Sequence, residues 1–220
     1  MPIDASNTSN DSSSDAIPYS GAIVAAMTVA ERRQRDRAHR RQAIITAARQ
    51  MAEAEGWDAV TTRRLADRIE YSQPVLYSHF PGKGGIIDAV AVEGFAELRL
   101  ILRNAREAAG SPEAALRELA EAYVGFALEH PALYDAMFTL NTELPFGRPE
   151  APRELQAAFA ELREAVTPLA GGRDPDTLAE VAWSALHGVA TLTRARRLRP
   201  DYQQARLTML VDQLAGGPGS

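Results

Sequence analysis

The stretch SQPVLYSHFPGKGG, Ser72 to Gly85, decides the reading of this chain. Pro and Gly bound it too closely for a long packed helix. Within it, Leu76 and Phe80 stand four residues apart and so share one face of a helix. Gln73, Tyr77, Ser78 and His79 fall on the remaining surface, where they can donate and accept hydrogen bonds. Ser72 is placed to cap this helix. Pro74 suits its first turn, where a missing N–H does no harm, and Pro81-Gly82 ends it. Just upstream, TTRRLADRIE (Thr61–Glu70) reads as a second short helix, capped by Thr61, with Leu65, Ala66 and Ile69 on its apolar face. Two helices this short cannot bury a core by themselves, so they must lie on a longer neighbour.

Moving outward, QAIITAARQMAEAEG (Gln42–Gly56) supplies that neighbour. Ile44, Ala47, Ala48, Met51 and Ala52 recur at spacings of three and four, and Gly56 closes the helix. The charge run ERRQRDRAHRR (Glu31–Arg41) leads into it. Downstream, long segments of helical period follow one another to the C-terminus, punctuated by Ser111-Pro112, Pro131, ELPFGRPEAP (Glu143–Pro152) and Asp174-Pro175-Asp176. No segment alternates with a period of two, so the chain reads as all-α with about nine helices.

Bulk composition excludes several classes. With 45% hydrophobic and 24% charged residues the chain is ordinary for a globular protein. It has no cysteine, which removes disulfides and thiolate metal sites. No apolar run reaches the roughly 18 residues of a membrane span, and the leader lacks secretory character, so the expected compartment is the cytoplasm and no membrane partner is expected. The four histidines, at 39, 79, 130 and 187, are too scattered to suggest a metal pair. No nucleophile elbow or phosphate loop is present. Neither a catalytic residue, a metal nor a cofactor is expected. The net charge of −5 conceals an asymmetry. Residues 1–27 carry three acids and no base, 28–85 carry 11 bases against seven acids, and 86–220 carry 13 bases against 19 acids. A basic segment on an acidic body is the footprint of nucleic-acid binding.

TTRRLADRIEYSQPVLYSHFPGK is similar to the DNA-binding domain of TetR-family transcriptional repressors. The likeness rests on Thr61, Leu65, Ala66, Ser72, Leu76, Tyr77, His79, Phe80 and Lys83 at fixed spacing. WSALHG (Trp183–Gly188) further resembles a subgroup marked by a Trp-x-x-x-His-Gly element. The resemblance implies a helix-turn-helix whose second helix enters the major groove of a double-stranded DNA operator. Gln73 is then the residue suited to read a base edge, and Val75 to meet a thymine methyl. Tyr77, His79 and Lys83 correspond to backbone contacts, and Arg41, Thr61, Thr62, Arg63, Ser72, Pro74 and Ser78 complete the expected DNA face. Plainer readings stand beside three of these: Gln73 as a solvated side chain, His79 as a packing histidine and Lys83 as a cap of the fourth helix. Two departures stand out. Glu70 occupies a turn position where the family usually has Gly, implying positive φ at a cost of about 1 kcal/mol. Gly84-Gly85 replaces the usual acidic residue and its neighbour after Lys83, which points to a loose start of the fourth helix.

Residues 1–27, rich in Ser, Asp and Asn with little to bury, read as a disordered leader, and the Gly-rich 216–220 as a disordered tail. Between them the resemblance implies a helix-turn-helix domain (28–85) and a ligand-binding and dimerisation domain (86–215). A homodimer is expected through the last two helices, about 175–197 and 201–214, with Val181, Leu186, Val189, Leu192, Leu207, Leu210, Val211 and Leu214 as apolar stripes. Tyr123, Phe126, Met137, Phe138, Trp183 and His187 are the candidates for a pocket taking a small, mostly apolar inducer; the plainer reading makes them core. The rival to a ligand-released repressor is a helical ligand-binding or interaction protein of the same fold without specific DNA binding.

Overall fold

The computed structural model describes residues 28–140 and 142–216. The expectations for the leader and for residues 217–220 lie outside the described residues. Among these there are nine α-helices and no strand.

Helix α1 spans Val29–Glu55. It therefore takes in the charge run that the sequence only leads into it. A capping box fixes its start: Glu31 N–H donates to Thr28 Oγ1 (3.2 Å), and Thr28 N–H donates to Glu31 Oε2 (2.7 Å). From there Arg, Gln and Ala, all good helix formers, carry the helix without interruption. Its residues 29–42 are all exposed, and burial begins with Ile44 and Ile45.

Helices α2 (Thr62–Arg68) and α3 (Gln73–His79) pack on each other, and α2 packs on α1. Ile44, Ala48, Met51, Val60, Leu65, Leu76 and Phe80 close a core among them. Thr61 caps α2, its Oγ1 accepting Arg64 N–H at 3.2 Å. Ser72 occupies the N-cap of α3 in extended backbone, but its hydroxyl makes no capping bond, contrary to the expectation; Pro74 already removes one of the donors that a cap would satisfy. Glu70 has φ 56°. Ile69 is the C-cap of α2, and Tyr71 N–H closes back on Ala66 C=O at 3.0 Å. That is a Schellman closure with glutamate in the left-handed position that glycine usually fills.

Helix α4 (Lys83–Glu107) follows and packs against α1, α5 (Pro112–Glu129), α6 (Pro131–Phe138) and α7 (Arg153–Val166). It begins at Lys83, with Gly84 and Gly85 in its first turn and no side-chain cap, and Ile86 N–H meets Gly82 C=O at 3.4 Å. A Cβ on Gly85 would come within 2.9 Å of the Pro81 ring, so the missing side chain lets the turn press directly on the helix. Gly94 performs the same task where α4 crosses α6, because a Cβ there would meet Met137 Sδ at 2.6 Å. Across the other side of α4, Arg106 reaches the buried Glu161 of α7 at 2.8 Å.

Helix α8 (Pro175–Arg194) and helix α9 (Gln203–Ala215) close the bundle over α5. The α8 helix ends three residues before the expected 197, where Arg196 turns left-handed at φ 55° and Arg197 N–H bonds Leu192 C=O. The apolar stripes expected for dimerisation are divided. Leu186, Leu207, Val211 and Leu214 are buried within the single chain, Val189 and Leu210 are half-buried, and Val181 and Leu192 are exposed.

Candidate functional site

The first site is the surface carried by α3. Leu76 and Phe80 are 1% and 3% exposed and pin the helix to the core. Gln73, Pro74, Tyr77 and Ser78 face solvent, with Val75 and His79 half-buried beside them. Tyr77, a large ring, is 54% exposed. Ser78 Oγ donates to Val75 C=O at 2.7 Å, leaving its hydroxyl oxygen outward. Thr61 and Arg63 are exposed and Thr62 is half-buried at the start of α2. Arg64, also exposed, is engaged along the surface: it bonds Glu55 at 2.9 Å and Ala59 C=O at 3.0 Å.

Two arginines of α1 secure the far end of α3. Arg37 donates to Ser78 C=O (3.2 Å) and Arg41 to His79 C=O (3.3 Å), while Arg41 lies over the Phe80 ring at 4.2 Å. These carbonyls end the helix and carry its negative pole, so cations are stabilising there. Burial, and then the positive charge of Arg37, Arg40 and Arg41, lowers the His79 pKa and favours the neutral ring. Lys83 has a structural bond that its sequence position does not announce: its ammonium donates to Trp57 C=O at 2.5 Å.

The second site is a cavity of about 470 Å³ inside the body. Phe95 of α4, Tyr123 of α5, Phe138 of α6, Phe159 of α7 and Trp183 of α8 form its aromatic wall. The segment Phe146–Ala151 forms its edge, held by Gln156, whose amide donates to Pro149 C=O (3.1 Å) and Ala151 C=O (2.8 Å). Of the six pocket candidates, Tyr123, Phe138 and Trp183 line the cavity. Met137 is buried against Gly94, Phe126 is buried beside the His130 ring, and His187 stands behind the wall, edge-on to Phe138 at 5.4 Å. Phe95, Phe146 and Phe159 were not singled out by the sequence; each sits at ordinary core spacing or in a loop.

Behind the wall runs a chain of hydrogen bonds. Trp183 Nε1 lies 3.0 Å from Tyr123 Oη, which lies 3.0 Å from Tyr134 Oη, which lies 2.6 Å from His187 Nδ1. Indole can only donate, so Tyr123 accepts from it. Every group is satisfied if Tyr123 then donates to Tyr134 and Tyr134 to an unprotonated Nδ1. The opposite direction would leave the Tyr123 proton without an acceptor. Burial, with a smaller contribution from Arg194, lowers the His187 pKa and supports this assignment. Burial also raises the Tyr134 pKa to about 12 and pushes that of Tyr123 well upward, so both remain phenols. The chain uses up its own polarity and leaves that side of the cavity apolar.

Helix α6 runs from the cavity to α1. Its C-terminal Phe138 is cavity wall. Its first free N–H groups, those of Ala132 and Leu133, each donate at 3.0 Å to one oxygen of Glu53 from α1. Trp57 Nε1, just after α1, donates to Ala132 C=O at 2.7 Å, and the Trp57 carbonyl is the one that holds Lys83. From the other side, Arg194 bonds Asp135 (2.9 Å) and Pro131 C=O (3.0 Å). Among the described residues no group of three or more His, Asp or Glu could hold a metal, and no helix is long and apolar enough to cross a membrane.

Comparison with known proteins agrees with this geometry. The family model for bacterial regulatory proteins of the tetR family matches residues 44–90, and that for the tetracyclin repressor-like C-terminal domain matches 116–214. An uncharacterised helix-turn-helix-type transcriptional regulator of Mycobacterium tuberculosis is 27% identical over 180 residues, 80% of each chain. The class C tetracycline repressor protein of Escherichia coli is 43% identical over 51 residues, 23% of each chain. Among solved structures, a Rhodococcus sp. RHA1 protein of unknown function superposes with a TM-score of 0.67 at 29% identity, covering 80% of this chain and 93% of that one.

Proposed function

Starting from the premise that the chain belongs to the TetR family and is a DNA-binding transcriptional regulator of helix-turn-helix type, we propose that it is a homodimeric repressor released from a palindromic operator by a small, mostly apolar ligand. The observation that carries the DNA part is α3 itself: a seven-residue helix with a buried underside and an outer face of Gln73, Tyr77 and Ser78. Gln73 would read a base edge through its amide. Tyr77, Thr61, Thr62 and Arg63 would meet the backbone on either side. A single headpiece offers few contacts, so two are needed, set one helical turn of DNA apart by a two-fold axis.

The dimer face we assign is the part of α8 and α9 that the protomer leaves open. Val181, Ala185, Gly188 and Leu192 recur along one side of α8, and Met209 of α9 is 65% exposed. A Cβ on Gly188 would meet nothing in the protomer, so the space it leaves is available to a partner helix.

For the ligand, the aromatic cavity supports an apolar molecule of modest size. A ligand pressing on Phe138 would act on α6. Glu53 and Trp57 would pass any tilt of that helix to α1 and Lys83, and thence to the spacing of the two α3 helices. Only a ligand that favours the mismatched spacing releases DNA. With this role the protein is expected to work in the cytoplasm and to carry no catalytic activity.

The deciding experiment is fluorescence anisotropy of the purified protein on DNA upstream of its own gene, beside a Gln73→Ala, Tyr77→Ala double variant. Selective binding that the variant loses supports the proposal. Binding of equal strength by both proteins removes α3 from DNA recognition.

A further inference from the structure

The basic segment of this chain is not basic where its helix-turn-helix lies. Residues 42–85 carry five bases, Arg49, Arg63, Arg64, Arg68 and Lys83, against the five acids Glu53, Glu55, Asp58, Asp67 and Glu70. Most of those bases are engaged within the protomer: Arg49 on Glu97, Arg64 on Glu55, Arg68 on Gln50 and Lys83 on Trp57 C=O. Helix α3 has no Lys, Arg, Asp or Glu at all. The whole positive excess of residues 28–85 sits in residues 29–41, with six arginines against Glu31 and Asp36. That segment is the exposed first half of α1, and it precedes the family match, which begins at residue 44.

Its arginines are ordered on the helix. Arg33, Arg37, Arg40 and Arg41, at spacings of three and four, lie within about 100° of one another around the axis. Arg37 and Arg41 already bond the last carbonyls of α3, which fixes the direction of this stripe toward the α3 side. Arg32 falls on a different face. The capping box at Thr28 and Glu31 holds the segment helical to its first turn, so from Thr28 to Arg41 it extends about 20 Å. None of its residues 29–41 is buried, and Arg37 and Arg41 meet the rest of the chain at the end of α3.

We infer that the Arg33–Arg37–Arg40–Arg41 stripe of the α1 arm is a second DNA-contacting surface, which grips backbone phosphates beside the groove occupied by α3 and supplies most of the electrostatic affinity. This rests on the DNA-binding reading above and adds a division of labour to it. The neutral α3 surface reads sequence, and the arm holds the duplex without reading it. DNA phosphates are the partner because a rigid row of guanidiniums matches a repeating row of anions, and the arm runs out from the very end of the helix that would sit in the groove.

The test is the salt dependence of binding by the full-length protein to a mixed-sequence duplex and to the DNA upstream of its gene. Each phosphate neutralised contributes about −0.9 to the slope of log K against log salt. Arg33→Ala with Arg40→Ala, which leaves Arg37 and Arg41 holding α3, is expected to shallow the slope by about 1.8 per protomer on both duplexes. The preference for one duplex over the other should be unchanged. Alanine is the better helix former, so the arm stays folded, checked by circular dichroism. Arg33→Lys with Arg40→Lys should keep the wild-type slope, and Arg32→Ala should barely move it. An unchanged slope in the alanine pair, or a loss in Arg32→Ala equal to that per arginine in the pair, overturns the inference while leaving DNA binding intact. A wild-type protein that binds neither duplex overturns the DNA-binding reading and this inference with it.

Discussion

Tyr134 and His187 meet at 2.6 Å, hydroxyl to Nδ1, with their rings stacked 5.6 Å apart. The bond works in its full form only while Nδ1 is unprotonated. Burial lowers the His187 pKa below 6.5, and Arg194 adds to the effect. Between that lowered value and 6.5 the unfolded chain therefore binds more protons than the folded one, so stability falls as pH drops through the window and is level above it. His79 is lowered too and adds to the slope in the same direction. His187→Phe should shallow the slope. At neutral pH it should cost about 1–3 kcal/mol, because the Tyr134 proton loses its acceptor. Urea unfolding of both proteins above and below pH 6.5 measures this.

Glu70 stores strain that glycine would relieve. Its left-handed backbone costs roughly 1–2 kcal/mol, of which the greater freedom of glycine in the unfolded chain returns part. Glu70→Gly should therefore stabilise the protein by about 0.5–1 kcal/mol, while Glu70→Ala, which keeps a Cβ, should not. Thermal unfolding of the two variants separates these outcomes.

Glu53 bonds two N–H groups at the positive end of α6. Glu53→Gln keeps an acceptor but loses the charge and one of the bonds, a cost of about 1–2 kcal/mol. Amide exchange should quicken first at Ala132 and Leu133. If the N-terminus of α6 keeps its protection, the carboxylate is not what secures it.

Val181→Glu combined with Leu192→Glu places two charges on the open stripe of α8 without touching the protomer core. The variant should sediment as a folded monomer and lose operator affinity. A stable dimer in this variant would move the partner surface elsewhere.

Local chemistry made the helix-turn-helix legible. Thr61, Pro74 and Pro81-Gly82 act within a few residues of themselves, and the spacing of Leu76 and Phe80 reports burial directly. The left-handed turn at Glu70 was visible only through the family resemblance, which places glycine there; glutamate itself carries no local signal for positive φ. What the sequence hid is what depends on distant partners. Lys83 meets a carbonyl 26 residues away, and Glu53 meets backbone about 80 residues away. In the body, Phe126 and Phe159 have the same helical spacing from their neighbours, yet one is core and the other cavity wall. Periodicity finds a helix's inner face but not which part of that face borders empty space, and it says nothing of a loop residue such as Phe146. The continuation of α1 through the charge run was missed because an exposed helix carries no apolar period to reveal it.

The chain contains two tryptophans, and the fold has put them at opposite ends of one path. Trp183 borders the cavity, hydrogen-bonded to Tyr123; Trp57 is nearly buried where α1 meets α6, donating to Ala132 and accepting from Lys83. The protein thus carries its own pair of fluorophores, one at the place where a ligand would arrive and one at the joint its arrival would disturb. With Trp183→Phe or Trp57→Phe each can be watched alone, and the order in which their emissions change after rapid mixing would time the signal's passage without any label.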